Sequence, residues 1–304
     1  MNFDSEHLTT ISILRKKINN WRNICLFIIL IFLSVIFFSV NNQDINKILI
    51  KPNSIVRITV EDVLIKDKYR DQVLENIKDN KNIAAILLKI NSPGGDIVVS
   101  EELLYKFKEI AKSKPLVVAM ESVAASGGYL VSLAADHIIA RSGTITGSIG
   151  VIMQAQEVVD LADKLGINFL TYKSAPLKSS PSFFEKETRE AKQAMQEVID
   201  DSYDFFADIV KSHRNSKIKE ENFDKIFDGR IFNGRQALKM GLIDEIGGEE
   251  EAISYLLKRM KIKDSKIIDI DLKEKKKNFF PNIDVGNLFN GNSNNSLKIR
   301  TILQ

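Results

Sequence analysis

Residues 83–95 read Ile-Ala-Ala-Ile-Leu-Leu-Lys-Ile-Asn-Ser-Pro-Gly-Gly. Ile83 to Ile90 is almost continuously apolar, with Lys89 its one charge. A strand with one wet face alternates apolar and polar residues; an unbroken run of this length fits a strand covered on both faces, the habit of parallel sheets. Asn91 to Gly95 then breaks the run with turn formers. In open parallel α/β sheets the carboxyl ends of the strands carry the ligand sites, so this turn stands where chemistry is expected.

The pattern continues outward on both sides. Ile55 to Val60 is β-branched and strand-like, and Tyr69 to Asp79 has helical spacing. Beyond the glycines come a helix over Glu101–Ala111, a strand over Leu116–Met120 and a helix over Gly127–Ala135. Strands at Ile138–Ala140 and Ile167–Tyr172 are expected to bracket a helix over Val158–Leu165, and Glu185–His213 reads as one long amphipathic helix with Met195, Ile199, Phe206 and Ile209 near one face. Alternating strands and helices imply an α/β fold with a mostly parallel sheet flanked by helices.

Ile24 to Val40 (ICLFIILIFLSVIFFSV) carries no charge and is expected to form one N-terminal transmembrane helix. Arg15, Lys16, Lys17 and Arg22 precede it, whereas Asn41, Asn42, Gln43 and Asp44 follow. Positive residues stay on the cytoplasmic side, so the N-terminus is expected in the cytoplasm of a bacterium and the remainder in the periplasm, on the inner membrane. The expected organisation is a cytoplasmic segment 1–23, an anchor 24–40, a linker 41–53, a catalytic domain 54–272 and a polar, disordered tail 273–304 holding the cluster Lys273–Lys277.

Composition narrows the function. Among 304 residues, 44% are hydrophobic and 27% charged, and the formal charge of +3 gives no strong basic field for nucleic acid. Cys25 is the single cysteine, which excludes intramolecular disulfides and cysteine-built metal sites. His7, His137 and His213 are the only histidines. His7 precedes the anchor, His137 opens a strand and His213 ends a helix, so a Ser-His-Asp triad has weak support.

Ser126 lies in Ala124-Ala125-Ser126-Gly127-Gly128, between an apolar strand and an apolar helix. A nucleophile on a tight strand-to-helix turn needs small neighbours; an ordinary N-cap serine would look the same. Ser148, in Thr146-Gly147-Ser148-Ile149-Gly150, has small neighbours too. Gly94 and Gly95 allow close backbone approach and, with Gly127, could form an oxyanion hole; a plain Pro-Gly turn is the alternative. A lysine can serve as base where burial lowers it from about 10.4 towards neutrality. The proline-constrained segment Lys173-Ser174-Ala175-Pro176-Leu177-Lys178 offers two.

These blocks, together with Gly143-Thr144-Ile145-Thr146-Gly147-Ser148-Ile149-Gly150-Val151, resemble the signal peptide peptidase A family over roughly residues 55–260. The resemblance implies a ClpP/crotonase-like fold and a serine protease with a Ser-Lys dyad. Ser126 matches the nucleophile, Lys178 the general base, Ser148 the serine that orients the lysine, and Gly94 or Gly95 the oxyanion donor; Lys173 is the reserve base. It further implies one catalytic repeat per chain, a ring-shaped homo-oligomer, no cofactor or metal, and peptide substrates such as remnant signal peptides beside membrane lipid. Phe183 stands where many relatives have a proline, which bears on loop shape. Two other functions share the fold: a crotonase-like acyl-CoA enzyme, disfavoured by export from the CoA-containing compartment, and a catalytically silent membrane scaffold, disfavoured by the intact Ser126, Lys178 and Ser148.

Overall fold

The computed structural model describes residues 3–41 and 50–273, with side chains from 13–34 and 50–273. The expected tail from 274 onward and most of the linker lie outside the described residues. In chain order the elements are α1 (Phe3–Asn41), β1 (Ser54–Glu61), α2 (Lys68–Asp79), β2 (Ile83–Ser92), α3 (Ile97–Ala111), β3 (Leu116–Ala125), α4 (Gly127–Ser132), β4 (His137–Ala140) and β5 (Ile145–Gly147). They continue with α5 (Val159–Lys164), α6 (Arg189–Arg214), α7 (Phe223–Ile226), β6 (Ile231–Asn233), α8 (Gly234–Met240), β7 (Glu245–Ile246), α9 (Glu249–Met260) and β8 (Ile267–Ile270).

The strands form one sheet in the order β6-β5-β3-β2-β1-β8, with β4 between β3 and β7. Every pairing is parallel except that of β5 with β6. The apolar run of β2 is explained by two-sided cover. Ile86, Leu88 and Ile90 join the larger core with Leu74, Leu103, Phe107 and Tyr129. Ala85 and Leu87 point the other way, onto Ala252 and Leu256 of α9. The strand β3 changes partner midway: Val117–Met120 pair with β4, and Val123–Ala125 pair with β5. That change carries the end of β3 beyond the sheet's body, where Ser126 begins the next helix.

Two features differ from the sequence expectation. No strand forms over Ile167–Tyr172; instead the Ile167 amide donates to the Ala162 carbonyl at 2.9 Å, closing the end of α5. β-propensity is realised only when a neighbouring strand takes the backbone hydrogen bonds, and here Leu170 and Tyr172 are 79% and 92% exposed. The second difference is α1, which runs well upstream of residue 24 as a single helix. Among the described residues no helix is long and apolar enough to cross a membrane. The side chains of residues 35–40, the second part of the expected anchor, lie outside the described set.

A buried charge ties the C-terminal part to the sheet. The Asp244 carboxylate accepts from the Ile138 amide at 2.9 Å and from Arg214 Nη1 at 3.1 Å, and it pairs with Lys217. Burial alone pushes this carboxyl up, but Arg214 and Lys217 outweigh it and hold it below the usual range. Because its folded value is depressed, its stabilisation is complete above the unfolded value of about 3.9 and is lost as pH falls through the folded one. Asp244→Asn is expected to cost about 3–5 kcal/mol in urea unfolding at neutral pH, since Arg214 is left buried and uncompensated. The gap between variant and wild type should narrow as the pH is taken below the carboxylate range.

Candidate active site

The end of β3 delivers Ser126 into a sharp turn. Its φ and ψ are 52° and −122°, a positive-φ conformation that residues with side chains avoid, at a cost of about 1–3 kcal/mol. Hydrogen bonds on both sides enforce it: the Ser126 amide donates to the Gly147 carbonyl at 2.8 Å, and the Ser126 carbonyl accepts from the Leu130 amide at 2.9 Å. Strain held in place by its surroundings is a mark of functional turns. Ser126 is half-buried, whereas the α4 residues behind it are fully buried. Tyr129 anchors them by donating its hydroxyl to the Leu242 carbonyl at 3.0 Å, and burial pushes its phenol well up.

The Pro-Gly-Gly turn after β2 reaches the same place. A Cβ on Gly94 would fall 2.7 Å from the Gly127 nitrogen and 2.9 Å from Ser126 Cβ, at a φ of +102°. Only glycine lets the two turns meet this closely. The Gly94 amide donates to Ser92 Oγ at 3.1 Å, and Ser92 Oγ itself donates to the Asp62 carbonyl at 2.6 Å. Gly94 therefore contributes its missing side chain, and no hydrogen bond among the described residues takes up the amides of Gly95 and Gly127. The far side of Gly95 is fixed by Leu64, whose amide donates to the Gly94 carbonyl and whose carbonyl accepts from Asp96, both at 2.9 Å.

Ser148 follows Gly147, which sits opposite Ala125 in the β3–β5 register. It too has a positive φ, 51°, and its amide donates to the Arg230 carbonyl at 2.9 Å. Ser126 and Ser148 thus leave neighbouring parallel strands side by side, and the Ser148 hydroxyl has no partner among the described residues. Lys178 is placed differently. It lies in an exposed turn closed by its amide donating to the Ala175 carbonyl at 3.1 Å, and no hydrogen bond within the described residues joins it to Ser126. Lys173 forms an ion pair with Glu185. Among the histidines, His137 stacks on Tyr255 with ring centroids 4.2 Å apart and faces Glu245, away from the serine turn.

Three supporting residues escape the sequence reading. Ser92 ties down the Gly94 amide. Ser100 of α3, only 1% exposed, lies so near Gly127 that a Cβ there would come 2.2 Å from its Oγ. Asp96 caps α3 by accepting from the Val98 and Val99 amides at 2.8 and 3.0 Å, an N-cap signal visible in Gly-Gly-Asp before an apolar run.

A strained serine thus stands at the head of a helix, on the carboxyl edge of a parallel sheet, with the Gly94 turn against it and the Gly127 amide next to it in the chain. Residues 108–263 match the model of peptidase family S49. Over 210 residues the chain is 39% identical to a putative protease of Methanocaldococcus jannaschii, covering 69% of this chain and 67% of that protein. It is 37% identical over 241 residues to a putative signal peptide peptidase SppA of Enterococcus faecium, covering 75% and 67%. Against protease 4 of Haemophilus influenzae it is 32% identical over 213 residues, covering 67% of this chain but 34% of that protein. The chain belongs to peptidase family S49, and it is a serine peptidase of the signal peptide peptidase A type.

Proposed function

We propose that the chain is a membrane-anchored endopeptidase with a Ser126–Lys178 dyad, acting on short apolar peptides such as the remnants of cleaved signal peptides. The observation that carries this is the convergence of the Gly94-Gly95 turn on the positive-φ Ser126. Ser126 Oγ attacks the peptide carbonyl while the Lys178 amine takes its proton, and that proton then passes to the leaving amine. The Gly95 and Gly127 amides hold the oxyanion; each such donor is worth about 3–4 kcal/mol in acyl transfer. Ser148 orients the amine. Water, activated by the same lysine, then hydrolyses the acyl-enzyme.

A lysine base has to be shielded from water, and Lys178 is exposed in the single chain. The segment that carries it also exposes Ile152, Leu161, Leu165, Leu170, Tyr172 and Phe183 by 52–92%. Such a patch fits burial against a second copy. In the proposed homo-oligomeric ring a neighbouring copy covers this segment, and the Lys178 of one chain serves the Ser126 of the next. The apolar side chains of α1 from Ile24 to Leu33, 49–66% exposed, support the anchor; the positive-inside pattern supports a cytoplasmic N-terminus and a periplasmic catalytic domain.

A fluorophosphonate probe offered to the detergent-solubilised full chain tests the nucleophile. The adduct is expected on Ser126 by peptide mass mapping. Labelling at another serine, or equal labelling of Ser126→Ala, would remove the assignment.

A further inference from the structure

We propose that Lys173 and Glu185 act as a clasp that positions the loop bearing Lys178; the proposal rests on Lys178 being the base. Lys173 Nζ and Glu185 Oε2 are paired, with side chains only 17% and 29% exposed. They stand at the two feet of the segment that rises through Ser174 to Phe184. Among the described residues the backbone hydrogen bonds at its tip are short-range, Lys178 amide to Ala175 carbonyl at 3.1 Å and Ser180 amide to Leu177 carbonyl at 3.2 Å. Beneath it lies a cavity of about 220 Å³ lined by Lys173, Pro176, Ser180, Pro181, Glu185 and Thr188. With this cavity on one side of the loop, contacts at its feet help to set where the tip points.

Three contacts hold those feet. The Phe183 carbonyl accepts from the Val158 amide at 2.9 Å, and the Phe184 ring meets the Phe169 ring at 4.5 Å. The Lys173–Glu185 pair is the third; like the Phe169–Phe184 contact it joins the two sides of the loop, and it does so by a charged, directional bond. A neighbouring ion pair, Lys186–Asp160 at 2.6 Å, is 64% and 73% exposed and contributes little. The half-buried pair is a charge-assisted hydrogen bond, stronger and more directional than a surface contact. It also gives Lys173 a task other than proton transfer, because its ammonium is committed to Glu185. Lys173 and Glu185 are positioning residues in this assignment.

The experiment compares the detergent-solubilised full chain with Lys173→Met, with Glu185→Gln and with the swapped pair Lys173→Glu/Glu185→Lys on an apolar peptide. Each single variant is expected to lose about 10- to 100-fold in kcat with KM within about twofold, the scale of a misplaced catalytic group. The swapped pair should recover most of the loss, which a purely structural defect would not allow. Trypsin should cut after Lys178 sooner in Glu185→Gln than in wild type, reporting the freed loop without reference to activity. If Lys173→Met fails to fold, the nearly isosteric Glu185→Gln carries the test. Wild-type kcat in both singles, or a loss that the swap leaves uncorrected with unchanged trypsin cleavage, overturns the clasp. Lys178→Ala separates the two levels: if it is inactive while the singles are normal, the clasp alone fails. If it retains full turnover, the base assignment fails and the clasp with it.

Discussion

Ser126→Ala is expected to abolish peptide hydrolysis, with a loss on the order of 10⁶-fold in kcat, as for removal of a nucleophile whose whole machinery depends on it. The neighbouring hydroxyls of Ser92 and Ser100 are not free to replace it. Ser92 Oγ donates to the Asp62 carbonyl at 2.6 Å and Ser100 Oγ to the Asp96 carbonyl at 2.8 Å, so both are committed. Ser148 leaves a separate strand, beyond the Gly147 carbonyl that receives the Ser126 amide. The fold should survive, because the turn is enforced by backbone hydrogen bonds and by Gly94, none of which involves the Ser126 side chain. Steady-state kinetics on an apolar peptide, with thermal unfolding as control, checks this. Residual turnover within tenfold of wild type in a correctly folded variant would mean that another residue attacks.

Lys178→Ala is expected to cost at least about 10³-fold, within the range of general-base removal in activated-serine enzymes. Lys178→Arg should not rescue it, because a guanidinium cannot give up its proton near neutral pH. Exposure of Lys178 in the isolated chain makes a more specific result testable. If one copy supplies the amine to the serine of the next, mixing Ser126→Ala with Lys178→Ala subunits should restore activity that neither has alone. In a closed ring of head-to-tail contacts about a quarter of the sites would then pair an intact serine with an intact lysine. No recovery after subunit exchange, proved by mixed species in native mass spectrometry, would place both groups in one chain. Assembly would then not be needed to complete the dyad.

Much of the site was legible because its demands are local. An apolar run with a single charge can be satisfied only by cover on two faces, and Ala85 and Leu87 against Ile86 and Leu88 show that cover. Small residues around Ser126 permit the positive-φ turn that the structure displays. The segment Ile167–Tyr172 was not legible for the opposite reason. Its β-branched and aromatic residues would suit a strand, but strand formation depends on a partner supplied from elsewhere in the chain. The amides of Gly94 and Gly95 were equivalent on paper, and only the position of Ser92 Oγ separates them.

From its residues alone, this chain determined a parallel α/β sheet, a serine on a strand-to-helix turn and a glycine pair at a strand's carboxyl end. Backbone conformation and two-sided burial follow from neighbours in sequence and from apolar periodicity. Tertiary structure decided which amides remain open, which serines merely brace the turn, and that Lys173 belongs to Glu185 while Lys178 stands exposed at a loop tip. Those outcomes depend on how turns and loops fold onto one another in space, which no residue's local preference specifies.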